Sequence, residues 1–356
     1  LQPKELIFAA AERAGLLTLT RNSEWRRRRL LILCYHGVAT LDEHEWHGDL
    51  YVHPDLLRRR LRHLREHDYT ILPMAEACRR LAAGTLPHRS VALTFDEGAA
   101  DFASEAVPIL REFNAPATVY LTTYYSDVRL PVFDTILSYV LWRGRNSGAD
   151  IGDLCESATP LPIGTQAGRD AAWAALSAYA TARRFDAWAK DTLVQAVAAC
   201  VGVSYAAVLA SGILQIMPPE VVASLPLDLI AVQLHTHRHR TPVDRALFLR
   251  ELTDNAVRIR AVAGEREALT HFCYPNGVYE GAFLPWLREA GVEYATTCMP
   301  GLASGADNPL LLPRLIDSAA RSETAFEAWA SGFAAFLPKR RAYRLDHDRL
   351  ESRCPI

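Results

Sequence analysis

Val91-Ala92-Leu93-Thr94-Phe95-Asp96-Glu97-Gly98 is the stretch on which the fold turns. Five residues with apolar or β-branched side chains run straight into two adjacent carboxylates and a glycine. A short apolar run of this kind, ended by a turn residue, predicts a buried strand. Two neighbouring carboxylates at such a strand end repel each other unless something positive lies between them. A metal ion would resolve this, one carboxylate binding it and the other staying free as a base. An acidic pair opening a helix is the ordinary alternative, because helix N-termini favour negative charge.

Outward from this stretch, similar strands alternate with helical stripes. Leu30–Tyr35 is a buried run ending in His36-Gly37, and Pro54–His67 carries Leu56, Leu57, Leu61 and Leu64 among arginines. Helices are predicted over 75–83 and 101–113, with strands at 69–72 and 117–121. Strand character returns at 229–234, 270–274, 294–297 and 310–315, separated by helical patterns at 243–263 and 280–290 and followed by one at 323–336. Strand–helix alternation of this kind predicts an α/β chain with a parallel sheet or barrel. Residues 131–223 break the pattern: they are Ala-rich and helical in period, and read as a helical insertion. Residues 1–29 read as a helical extension, 30–337 as the main domain and 338–356 as a polar tail.

Composition narrows the function. Half of the 356 residues are hydrophobic and the formal net charge is -2, which argues against a nucleic-acid partner. The basic run Arg26–Arg29 reads as a solvated helix end or a contact for an anionic surface. The cysteines at 34, 78, 155, 200, 273, 298 and 354 form no CxxC pair, and their odd number suits no closed disulfide framework. Cys34, Cys273 and Cys298 lie in apolar runs and read as reduced core residues. No apolar stretch reaches the ~20 residues of a membrane span. The N-terminal LQPKELIFAAAERAGLL is amphipathic rather than signal-like. The expectation is a cytoplasmic protein, with a trimmed leader or membrane association left open because the chain begins at Leu1.

Two further clusters follow predicted strands. In His235-Thr236-His237-Arg238-His239 the outer histidines are four apart, which places both imidazoles on one side of a turn. Thr236 would set the loop, and His237 points elsewhere. Phe272-Cys273-Tyr274-Pro275-Asn276-Gly277 is ordinary turn chemistry in itself, but it stands at the next strand end after the histidines. A (β/α) barrel keeps its active site at those ends.

TFDEG, HTHRH and FCYPNG in this order resemble the polysaccharide deacetylase family (NodB homology, carbohydrate esterase 4). CYHGV at 34–38, APATVYL at 115–121 and LLPRL at 311–315 agree, so the resemblance spans most of 30–337 apart from the insertion. It implies a deformed (β/α)7-type barrel that removes N-acetyl groups from a carbohydrate. By the same resemblance Asp96 is the general base, and His235 and His239 are metal ligands. Glu97 stands where the family has a second, metal-binding aspartate. Arg314 is the candidate to hold Asp96 ionised, and the Tyr274 backbone N–H to stabilise the oxyanion. The histidine that often serves as general acid near the last strand is missing from LLLPRLIDSA. One divalent cation is implied. His and carboxylate ligands suit zinc, preferred on availability, and also fit Fe, Co or Ni.

Other readings remain at this point: a hydrolase of another amide bond in a small or nucleotide-linked substrate, a glycan-binding module without activity, or an amidohydrolase using His235 and His237 as a pair. Tyr124, Tyr125 and Tyr279 are placed to stack on sugar rings. Oligomeric state is not indicated.

Overall fold

The computed structural model describes residues 3–264 and 268–337. The tail expected at 338–356, with Cys354, lies outside them. The chain divides into two compact units: Tyr125–Ile216 forms the smaller, and Tyr124 and Met217 are the residues of the larger that flank it. The helical insertion expected from residue 131 to 223 overlaps this smaller unit. The helix Pro219–Ala223 lies instead in the larger one.

The larger unit is built on six parallel strands: β1 (Arg29–Tyr35), β2 (Ser90–Phe95), β3 (Ala117–Leu121), β4 (Ile230–Leu234), β5 (His271–Cys273) and β6 (Tyr294–Thr296). They lie side by side in chain order. β1, β2 and β3 are buried along nearly their whole length. That explains their continuous apolar character, since one face of a barrel strand packs into the barrel interior and the other against helices. A seventh segment curls the sheet back on itself. Leu312 bridges Thr296 of β6, and three residues later Leu315–Ile316 (β7) pairs parallel with Leu33–Cys34 of β1. The result is a deformed barrel, closed by a segment too irregular to be one strand.

The helix expected over 101–113 forms with a π-helical turn at Phe102–Ala106 before the α-helix Val107–Glu112. Pro108 has no N–H to give the preceding turn, and a widened turn accommodates the loss. The basic run 26–29 departs further from its solvated reading. The side chain of Arg26 is fully buried, and donates to the carbonyl oxygens of Ala330, Arg29 and Ser90. It ties the N-terminal helices to the start of β2.

The closing segment is pinned by a buried ion pair. Arg60, on the helix Pro54–Glu66, donates through Nε to Asp317 Oδ2 at 2.9 Å and through Nη2 to the Arg321 carbonyl. The Asp317 backbone N–H donates to Cys34 of β1, and the Tyr35 hydroxyl adds a bond to Oδ2. Both charged side chains are inaccessible to water.

The smaller unit has its own core. Helices Phe133–Arg143, Gln166–Ala182 and Ala187–Cys200 bury Leu137, Val140, Leu176, Val194 and Val197. Trp173 Nε1 donates to the Asp134 carbonyl. Among the described residues no helix is long and apolar enough to cross a membrane.

Removing one partner of a buried pair leaves the other charge uncompensated, which costs about 3–5 kcal/mol. Asp317→Ala should therefore lower the unfolding free energy by about that amount in urea titration. A loss below about 1 kcal/mol would show that the closing segment is held by its strand pairing instead.

Candidate active site at the strand ends

Asp96 follows β2 and faces the barrel interior with Thr94, two residues earlier on the same strand face. Its partner comes from the closing segment. Arg314 Nη1 donates to Asp96 Oδ1 and Nη2 to Oδ2, both at 2.7 Å. This is the fork geometry that makes Arg–carboxylate pairs strong. The rest of the guanidinium is used as well: Nε donates to the Thr297 carbonyl and Nη1 also to Thr94 Oγ1. Cys34 and Cys273 add S–H donors to Asp96 Oδ2 at 3.5 and 3.3 Å. Burial alone would raise the Asp96 pKa. The charge and hydrogen bonds of Arg314 outweigh it and hold the carboxyl well below the usual carboxylate range. Asp96 is therefore an anion throughout the physiological range.

Glu97 takes a different direction. It adopts a left-handed φ of 68°, and Gly98 follows at 78°. A Cβ on Gly98 would lie 2.4 Å from Leu121 Cδ1, so glycine is required there both for the angle and for the space. The turn leaves the Glu97 side chain partly exposed and its Oε1 3.7 Å from His239 Nε2.

His235 ends β4 in a buried position. Its Nδ1–H donates to the Cys273 carbonyl at 2.9 Å, which leaves the Nε2 lone pair available. Burial, and then the facing His239, pull its pKa down to about 3, so the ring is neutral at pH 7. The His235 and His239 rings lie 5.0 Å apart at 60°. His237 is turned away: its Nδ1 meets Thr123 Oγ1 at 2.9 Å. Thr236 and His239 both have left-handed φ, at 64° and 55°. Such strain in non-glycine residues gathers at functional sites.

Glu97 and His239 have the spacing of two ligands on one cation. Two donors bound at about 2.1 Å in a tetrahedron stand about 3.4 Å apart, close to the Glu97–His239 separation. A neutral histidine fixed by a carbonyl at Nδ1 is the usual state of an imidazole ligand. Among the described residues, the sets of three donors that lie within 4.8 Å of one another are Asp96, His235 and Cys273, and Cys34, His36 and Asp96, whereas Glu97, His235 and His239 do not form such a set. Both groups share Asp96, whose oxygens are already engaged by Arg314, and a cation there would face a guanidinium.

Tyr274 requires a correction. Its backbone N–H, expected to face an oxyanion, donates to the Thr296 carbonyl at 3.3 Å because β5–β6 pairing continues through it. Its hydroxyl donates to the Leu310 carbonyl, and the residue is fully buried. Tyr124 and Tyr279 are partly exposed at their surfaces, Tyr124 against His237 and Tyr279 against Tyr274. Tyr125 belongs to the smaller unit.

His36 is the site residue that sequence reasoning passed over. It follows β1, and its Nε2 lies 3.9 Å from Asp96 Oδ2. The signal was present in CYHGV, a polar residue and a glycine ending a buried strand, as at the other clusters. Gly37 lets the chain turn under Tyr51, since a Cβ would lie 2.2 Å from that ring. Val38 N–H donates to Asp101 Oδ1 at 2.9 Å, while Asp101 Oδ2 is buried without a partner.

Residues 83–152 match the sequence profile of the polysaccharide deacetylase family. The fold is shared with solved deacetylase structures. A Streptococcus pyogenes deacetylase, PplD, in complex with acetate is 19% identical at a TM-score of 0.51, covering 84% of this chain and 96% of its own. IcaB from Ammonifex degensii is 17% identical at 0.53, covering 85% and 97%. A de-N-acetylase from Aggregatibacter actinomycetemcomitans is 13% identical at 0.52, covering 85% and 99%. No curated protein matches the chain. The chain therefore shares its fold with these deacetylases, and residues 83–152 carry the sequence pattern of the polysaccharide deacetylase family.

Burial, reinforced by Glu43, Glu105 and Glu97, pushes the Asp101 carboxyl up to about 8 despite its Val38 bond. The folded state then keeps a proton that the unfolded chain releases near 3.8. The stability this group contributes is full below the unfolded value and is lost as pH rises through about 8. Asp101→Asn should flatten the fall in urea midpoint between pH 5 and pH 8 in chelator-treated protein. Parallel slopes for variant and wild type would refute this assignment.

Proposed function

We propose that the protein removes N-acetyl groups from an amino sugar of a polysaccharide or glycoconjugate, using one divalent cation held by Glu97, His235 and His239. The observation that carries this reading is the pairing of two unlike carboxylates at one strand end. Asp96 is locked as an anion by Arg314, while Glu97 is turned away from it, with Oε1 3.7 Å from His239 Nε2. A binding module would have no use for the buried anion.

A cation held by these residues would supply Lewis acidity, lowering the pKa of water toward about 7 and polarising the acetyl carbonyl. Asp96 takes the proton from the attacking water as the general base. Its low basicity sets a condition, because the water must be acidified before so weak a base can receive its proton. Arg314 keeps Asp96 ionised and fixes its orientation. Proton delivery to the leaving amine is assigned to His36, whose Nε2 stands beside Asp96. That fills the place of the general acid absent from the C-terminal strand. The cation's preferred identity is zinc, on ligand type and availability. Localisation in the cytoplasm is part of the same proposal.

Elemental analysis of the purified protein, with acetate release from N-acetylglucosamine oligomers, tests the reading. Wild type, Asp96→Asn and His36→Gln should each carry one equivalent of metal. Asp96→Asn should release no measurable acetate, and His36→Gln should be slower by about 10²–10⁴-fold, the usual contribution of a positioned acid or base. No metal after reconstitution would sink the cation site. Metal with no acetate from any oligomer would redirect the search to small amide substrates.

A further inference from the structure

We propose that Glu251 and Asn255 are positioning residues for the cation site, holding the His235–His239 loop in its ligand geometry before any cation arrives. The inference rests on the cation-site reading above. It starts from two buried polar residues on the helix Arg245–Ala263. They are four apart and so share one helix face, and both are almost wholly buried.

Asn255 uses all its principal hydrogen-bonding capacity. Its Oδ1 accepts from the His235 backbone N–H at 3.0 Å, and its Nδ2 donates to the Leu121 carbonyl at 2.9 Å and to Thr123 Oγ1 at 3.0 Å. One side chain thus joins the ends of β3 and β4. Thr123 Oγ1 in turn meets His237 Nδ1, and the Thr122 hydroxyl and the Tyr124 N–H both donate to the His237 carbonyl.

Glu251 holds the other half of the loop. Its carbonyl accepts from His237 N–H, and Oε2 accepts from Arg238 N–H at 2.8 Å. Oε1 accepts from Arg238 Nη1 and from Arg240 Nε. Arg240 N–H then donates to Thr236 Oγ1 within the loop. Three successive-region backbone N–H groups, those of 235, 237 and 238, are therefore satisfied by a single helix face.

This arrangement has a job to do. Thr236 is β-branched and His239 bulky, yet both are left-handed, a conformation that persists only where the surroundings over-determine it. Without the helix face the loop relaxes toward extended backbone. The His235 and His239 rings, now 5.0 Å apart, would then separate.

Zinc affinity by competition with a fluorescent chelator tests the proposal. Two further readouts accompany it: hydrogen exchange at residues 235–240 of the metal-free protein, and the urea midpoint. Asn255→Leu should bind zinc 10–100-fold more weakly, the usual effect of losing a group that orients a ligand, and exchange faster at 235–240. Asn255→Asp keeps an acceptor for His235 N–H and should recover part of the affinity. A folded Asn255→Leu protein with wild-type zinc affinity would overturn the proposal. If that variant does not fold, Glu251→Gln decides: severalfold weaker zinc binding supports the proposal and unchanged binding overturns it. Wild type that binds no zinc would instead overturn the cation-site reading itself.

Discussion

A carboxylate buried at the centre of a barrel is tolerable only with a counter-charge, and here that counter-charge is Arg314. The pair dictates much of the surrounding structure. Arg314 sits on the segment that closes the sheet, between the bridge to β6 at Leu312 and the pairing with β1 at Leu315. If that segment slipped, the guanidinium would leave Asp96 and strand a charge in the interior. The Arg60–Asp317 pair, three residues beyond Arg314, fastens the segment from outside through the helix Pro54–Glu66. Closure of the barrel and ionisation of Asp96 are thus one requirement met by two ion pairs, only one of which touches the reacting centre.

The same constraint explains why neighbouring carboxylates differ so much in environment. Asp96 lies on the interior face of β2, and the left-handed turn at 97–98 sends Glu97 toward solvent and the His235–His239 loop. One residue of backbone geometry separates a fixed anion from a partly exposed carboxylate beside His239.

Much of this could be read in the sequence, and what could not has a physical reason. Strands β1 to β4 were legible because burial on both faces makes them continuous apolar runs. The closing segment was only partly legible, since its pairing is split between two neighbours and involves two or three residues at a time. Arg314 was found through the LLPRL resemblance rather than through any local pattern. Arg26 was misread because a run of four arginines gives no sign that one of them is capped by three carbonyls. Tyr274 was misassigned because the last residue of a strand and the first of a turn look alike in sequence, while only one has a spare N–H. His36 and Asn255 were missed for opposite reasons. The first stood in a quoted motif without a role, and the second is one polar residue in a long helix, meaningful only for what the fold sets beside it.

The thiols around Asp96 complete the electrostatic balance. Burial pushes Cys34 and Cys273 well above the usual thiol range, so they stay protonated and donate to the carboxylate rather than compete with it. Asp96 and Arg314 offset each other's charge, and the thiols beside them add none. Glu97 is turned out of that pocket and lies beside His239 instead. The neutral His235 ring faces His239 across 5.0 Å, so neither Glu97 nor His235, both proposed to take up a cation, is bound up in the charge balance of the Asp96–Arg314 pair.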